Sequence, residues 1–248
     1  MKGNMGKVRG VIFDLGNTLI YLNGDLKQIA SREAAELGGF LRKAGFDIDR
    51  TALSEAILQR RSLFLQKAEK EWIEYPMTEA LREVLAEFGY KGVNPELIRE
   101  AVDAFFSYEE ELWRAYPDTY ATLQHLSEQR YLLGLVSNAS DDGLIQRLVD
   151  RSGLRRWLRP VLSSAGVGIR KPDPRILQIV LNQWGLSPQQ AVMVGDRLEF
   201  DILGARLARM HSVLVSRGED PQETDRGQIT PDATIEQLSE LPGIIAAL

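Results

Sequence analysis

The chain has 248 residues, 44% hydrophobic and 26% charged, which suits an ordinary folded protein of one large α/β domain or two smaller units. Its net charge of −5 argues against a general nucleic-acid or anionic-membrane binder, and no apolar run approaches the ~20 residues of a transmembrane helix. The lack of cysteine excludes disulfides, thiolate metal sites and cysteine nucleophiles; His125 and His211 alone are too few for a histidine metal site.

The first residues, Met-Lys-Gly-Asn-Met-Gly-Lys, lack a signal-peptide apolar region, so a soluble cytoplasmic protein is expected. Residues 8–13 read as a short buried strand. From about Leu26 to Leu112 apolar residues recur at helical spacing, as in Leu26, Ile29, Ala30, Ala34, Leu37 and Leu41, which predicts roughly four helices and no strand. Within that block Asn94-Pro95-Glu96 reads as an N-cap followed by proline at the first helical position.

From Pro117 onward helices and strands alternate. The predicted strands are 132–136, near 161–162, 191–194 and 212–215. The predicted helices are 118–129, 142–150, 174–184 and 201–208. Ser187-Pro188-Gln189-Gln190 reads as a capping box before the third of these strands. Alternation implies parallel βαβ units, and continuous apolar strands imply a sheet covered on both faces. The expected fold is an α/β, Rossmann-like parallel sheet in three α/β/α layers, with an inserted helical cap. The expected division is residues 1–22 plus 114–248 as the core and 23–113 as the cap.

Ligands of open parallel sheets bind outside the carboxyl ends of the strands. There the sequence places Asp14, Ser137-Asn138, and Gly195-Asp196 with Glu199 and Asp201 close behind; Arg170-Lys171-Pro172-Asp173-Pro174 opens a helix nearby. Each has an ordinary reading, as a turn residue, a helix cap or a solvated lysine. Their order, each at a strand's end, points to one site. Carboxylates without histidine or cysteine suggest a hard cation, magnesium first, and the lysine and hydroxyl suit phosphate oxygens.

These residues resemble the haloacid dehalogenase superfamily. Phe13-Asp14-Leu15-Gly16-Asn17-Thr18-Leu19, Val136-Ser137-Asn138, Arg170-Lys171-Pro172-Asp173-Pro174 and Val194-Gly195-Asp196 with Asp201, Gly204 and Ala205 are similar to its four motifs, in order. The resemblance implies a magnesium-dependent phosphatase acting on a small phosphorylated metabolite. Asp14 is then the nucleophile of an aspartyl-phosphate intermediate. Ser137 donates to a phosphoryl oxygen, and Lys171 holds Asp14 and the phosphate together. Gly16, Asn17, Thr18 and Asn138 line the phosphate loop. Asp14, the Gly16 carbonyl, Asp196 and Asp201 surround magnesium.

Two residues depart from the family pattern. Gly16 stands where its phosphatases carry a second aspartate, the general acid and base, whose loss removes about 10²–10⁴-fold of rate. Three consequences are open: a substrate with a good leaving group, a substitute from the cap or water, or slow turnover. A catalytically weak phosphate-ligand binder and a 2-haloacid dehalogenase are the alternatives. Dehalogenases read Ser-Ser-Asn at the fourth motif, whereas this chain has Val194-Gly195-Asp196, which favours metal-dependent phosphoryl transfer. Arg197 is the second departure: it either points to solvent or adds positive charge at the mouth. In the helical block Trp72 and Tyr75 read as cap core and Arg60-Arg61 as a solvated face. Tyr21 and Asn23 read as hinge or mouth residues. Neither the substrate nor the oligomeric state is legible.

Overall fold

The computed structural model describes residues 7–218 and 229–248. In chain order, β1 (Gly10–Phe13) leads to β2 (Ile20–Leu22) and then to four helices: α1 (Leu26–Lys43), α2 (Arg50–Glu71), α3 (Met77–Glu87) and α4 (Pro95–Glu110). β3 (Trp113–Ala115) returns antiparallel to β2, making a two-stranded ribbon at the base of the helical block. Then follow α5 (Thr119–Glu128), β4 (Leu132–Ser137), α6 (Asp142–Arg151), β5 (Val161–Ser163), α7 (Ser164–Val167), α8 (Pro174–Trp184), β6 (Ala191–Gly195), α9 (Leu203–Leu207), β7 (His211–Val215), β8 (Ala233–Ile235) and α10 (Leu241–Ala247).

The sheet runs β5-β4-β1-β6-β7-β8, parallel throughout. β1 is central because its four residues, Gly-Val-Ile-Phe, are buried on both faces. Side chains alternate between the two faces. Val11, Phe13, Leu135 and Val194 join a cluster completed by α5, α6 and α10 and continuous with the helical block; Ile12, Val136 and Met193 pack on α8 and α9. This is the expected three-layer α/β/α arrangement. The chain crosses from β5, on one side of β1, to β6 on the other, so the carboxyl ends of β4, β1 and β6 border the switch-point crevice.

The expected caps are present. The Asn94 side chain accepts from the Glu96 N–H with Pro95 behind it, and Ser187 and Gln190 close a capping box, though on a 3-10 turn. β2, β3 and β8 were not expected; three residues each carry too little periodicity to register as strands. The predicted helix 201–208 is divided: a π-helical turn over Leu198–Ile202 precedes α9.

Two strand glycines make room for one aromatic ring. A Cβ on Gly134 would lie 2.8 Å from Trp184, and one on Gly10 would lie 2.7 Å from it. The Trp184 indole N–H donates to the Arg159 carbonyl at 3.0 Å, which fixes the ring. Gly134→Ala should therefore overpack this face and cost about 1–3 kcal/mol. Urea denaturation checks this; a midpoint equal to the native one would mean that Trp184 shifts freely.

The helical block buries a carboxyl group. Glu33 of α1 is 1% exposed, accepts from Arg61 Nη1 of α2 at 2.8 Å, and neighbours Glu109 of α4. Burial first, then the hydrogen bond with Glu109, push Glu33 up to about 8, against the opposing pull of Arg61. Folded Glu33 thus keeps a proton that the unfolded chain releases near its ordinary value of 4.5. The associated stability is full below that value and is lost as pH rises to about 8. Glu33→Gln cannot ionise, so thermal unfolding from pH 5 to 8 should show a flatter decline than in the native protein. An unchanged slope would assign that pH dependence to other groups.

Candidate active site

Asp14 is the first residue beyond β1, and its N–H donates to the Val194 carbonyl of β6 at 2.8 Å. Its side chain therefore emerges between the ends of β1 and β6 and is nearly buried, 8% exposed. The loop after it turns through Asn17, whose φ of 54° lies in the left-handed region that asparagine tolerates. Asn17 Nδ2 reaches Asp196 Oδ2 at 3.4 Å. Arg217, just past β7, grips the Thr18 carbonyl at 2.6 Å, pairs with both Asp118 oxygens and lies over Tyr116 at 3.8 Å.

Lys171 is buried at the centre. Its ammonium donates to Asp14 Oδ1 at 2.6 Å and to the Val136 carbonyl at 2.7 Å, and it pairs with Asp201 Oδ1 at 2.6 Å. Burial opposes its charge, but Asp14 and Asp201 outweigh burial and raise its pKa. Asn138 fixes the lysine backbone: its Oδ1 accepts from Lys171 N–H at 2.8 Å and its Nδ2 donates to the Lys171 carbonyl at 2.9 Å. Ser137, the last residue of β4, is buried and lines the same cavity as Asp14 and Lys171.

The fourth segment is shaped around Asp201. A Cβ on Gly195 would lie 2.3 Å from the Asp201 carboxyl, so only glycine lets this side chain lie against the end of β6. The π-helical turn then brings Asp201 Oδ2 to the Arg197 N–H at 3.0 Å. The Arg197 side chain pairs with Glu199 and lies 5.2 Å from Phe200, at the cavity wall.

Three carboxylates thus face one ammonium. Burial first, then Asp201 and Asp196, push Asp14 up to about 8, although Lys171 opposes this. Burial and Asp201 push Asp196 up to about 6. Among the described residues no group of three or more His, Asp and Glu is arranged to hold a metal ion. Asp201 is engaged by Lys171 and the Arg197 N–H. Asp14 and Asp196 line the cavity together with Gly16, offering oxygen donors with excess negative charge. Such a set fits magnesium, which takes one or two carboxylates and completes its shell with water and phosphate oxygens.

The helical block closes the other side. The cavity holds about 410 Å³, the size of a small-molecule site. Glu74, between α2 and α3, accepts from Ser164 Oγ at 2.7 Å and pairs with Arg170 at 3.3 Å, both core residues. Alongside, Glu74 N–H donates to the Gly168 carbonyl and Arg170 N–H to the Trp72 carbonyl. Burial raises the Glu74 pKa despite Ser164 and Arg170.

The block also corrects the expectation for Arg60-Arg61. Arg60 pairs with Glu83 and Glu87 of α3, while Arg61 turns into the cavity, because successive helical residues point about 100° apart. Tyr75, expected in the cap core, lines the cavity; Trp72 is 37% exposed. Tyr21 and Asn23 belong to the ribbon, with Tyr21 against Tyr116 and Asn23 N–H donating to the Leu112 carbonyl. No motif in the sequence singles out Trp113 of β3. Its ring lies so close to Gly16 that a Cβ there would touch Cη2 at 3.4 Å, and its indole N–H donates to Glu109 at 3.0 Å.

Residues 8–209 match the family model described as a haloacid dehalogenase-like hydrolase. A phosphoserine phosphatase of Thermus thermophilus is 33% identical over 94% of this chain and 90% of its own. A glyceraldehyde 3-phosphate phosphatase of Methanopyrus kandleri is 31% identical over 97% of this chain and 98% of its own. A solved 2-haloacid dehalogenase from Pseudomonas syringae superposes with a TM-score of 0.71 at 26% identity, covering 97% of this chain and 99% of that one. With all four motifs gathered at the switch point of the sheet, the chain belongs to the haloacid dehalogenase-like hydrolases and is a phosphatase-like member of that family.

Proposed function

We propose that the chain is a magnesium-dependent phosphomonoester hydrolase that forms an aspartyl-phosphate at Asp14, with residues 23–113 acting as a cap over the site. The observation that carries this reading is Lys171 at 2.6 Å from the Asp14 carboxylate, inside a cavity that Ser137 also lines. Similarity to enzymes named for phosphoserine and glyceraldehyde 3-phosphate supports a small phosphorylated metabolite as substrate.

In this mechanism an Asp14 oxygen attacks phosphorus, and the bond to the leaving oxygen breaks. Lys171 and the Ser137 hydroxyl bind phosphoryl oxygens as charge shifts onto them. Water then attacks the intermediate, releasing phosphate and restoring Asp14. Magnesium held by Asp14, Asp196 and the Gly16 carbonyl would supply the positive charge that this acidic site lacks. Asp201 positions Lys171, and Asn138 holds the lysine backbone. Gly16 supplies no proton, so the leaving oxygen takes its proton from elsewhere or departs as a good leaving group.

Gly16 also favours a second reading, metal-independent 2-haloacid dehalogenation, since the solved Pseudomonas syringae dehalogenase shares this fold. Hydrolysis of an activated aryl phosphate separates the two. Turnover should require magnesium and fall at least about 10³-fold in Asp14→Asn, because the nucleophile is lost. No turnover of this easy ester would overturn the phosphatase reading; chloride release from a 2-haloacid without metal would then establish dehalogenation. Gly195→Ala provides a further check: by displacing Asp201 from Lys171 it should lower kcat more than it raises KM. A variant with native kcat would show that the Lys171–Asp201 pair is dispensable.

A further inference from the structure

The phosphatase reading leaves Arg61, which lines the cavity, without a role. Arg61 comes from α2, whereas Lys171 comes from the loop before α8, and both line the same cavity. Arg61 is held in place. Nη1 donates to Glu33, which is itself buried, and the guanidinium lies 5.6 Å from the ring centres of both Phe105 and Phe106. Among the described residues that is the one hydrogen bond the Arg61 side chain makes, and 36% of the side chain remains accessible. An arginine with one edge fixed by a buried acid and the other open is a preorganised fork for a planar anion.

The surroundings select the anion. Glu109 and Glu69 also line the cavity. Among the described residues Arg170 and Arg197 of the same cavity are paired with Glu74 and Glu199, so Arg61 is the arginine with an open edge, which suits a monoanion better than a doubly charged second phosphate. Glu109 is itself engaged, taking the Trp113 N–H on Oε1.

We infer that Arg61 receives a carboxylate on the leaving group, so that the substrates are phosphomonoesters of small hydroxy or amino acids. The inference rests on the phosphatase reading of the same cavity and narrows it: the neutral aldehyde and polyol phosphates are disfavoured.

Steady-state kinetics with magnesium on two matched pairs tests this. The pairs are 3-phosphoglycerate against glycerol 3-phosphate, and O-phosphoserine against phosphoethanolamine; within each pair only the first carries the carboxylate. In the native protein kcat/KM should favour the acid of at least one pair by about ten- to a hundredfold, the scale of a hydrogen bond to a charged group. Arg61→Gln should bring that ratio close to one, and Arg61→Lys should restore part of it. The ratio is internal to each variant, so a reduced folded fraction does not alter it. A native ratio near one in both pairs, or a preference that survives Arg61→Gln, would overturn the inference. If neither these esters nor an aryl phosphate turns over, the phosphatase reading fails separately. Calorimetric binding of 3-phosphoglycerate and glycerol 3-phosphate to Asp14→Asn then decides: tighter binding of the acid upholds the role of Arg61, and equal binding removes it.

Discussion

A buried lysine needs carboxylates, and most of the site's architecture follows from that need. Lys171 is 1% exposed, and an unpaired charge at such a depth is costly; removing one partner of a buried pair typically destabilises by about 3–5 kcal/mol. Asp14 and Asp201 both answer the ammonium at 2.6 Å. One follows the central strand, the other arrives by the π-helical turn over a glycine. Asn138 brings the end of β4 to the lysine backbone. Three segments remote in sequence are therefore pinned to one ammonium, and the same ammonium lies beside the proposed nucleophile. Stability and reactivity share a group here, so the fold cannot relax around Lys171 without losing the geometry of Asp14.

Two carboxylates for one ammonium leave the crevice acidic, and Asp196 deepens the imbalance. A protein does not collect like charges at a strand edge for stability. The arrangement makes sense with a cation and an anionic ligand present together, since each compensates charge the other would leave exposed. The helical block then matters as more than a source of specificity. It is fastened to the core at Glu74–Arg170 and by main-chain bonds between 72–74 and 168–170, and α4 is tied to α6 by Arg99–Asp141 and Arg147–Glu110. Closing the crevice lowers the local dielectric, so the charges inside act on one another, and on a ligand, more strongly than they would in water.

What was legible in the sequence followed from local rules. Strand ends, caps and the acid-rich fourth segment showed themselves because each combines an apolar run with a residue of fixed conformational habit, as at Asp14, Asn94 and Gly195. What escaped notice depends on pairing over distance. β2 and β3 are three residues each and exist because they pair across the whole helical block. Arg61 reads as a surface residue beside Arg60, and only the approach of α1 and α4 turns it into a wall of the cavity. Glu33 is an acid on a helix face that otherwise reads apolar, an irregularity visible in the sequence, but its partners lie on two other helices. The Arg217 grip on Thr18 spans 199 residues and carries no motif.

Gly16 and Trp113 belong to one argument. Where the family's phosphatases have a carboxylate, this chain has no side chain, and the space is bounded by an indole edge within contact distance. A Cβ at position 16 would rest in ordinary contact with that ring, so the two positions are packing neighbours. Trp113 sits on the ribbon that joins the helical block to the sheet, and its N–H is tied to Glu109, the acid beside Glu33 and Arg61. The nucleophile loop is thus connected, through one aromatic ring, to the charged roof of the cavity. If the leaving group is held there by Arg61, its departure is assisted by orientation and by exclusion of water rather than by a carboxyl at position 16. Loss of the second aspartate then changes how catalytic assistance is distributed between core and cap, and does not by itself imply a dead site.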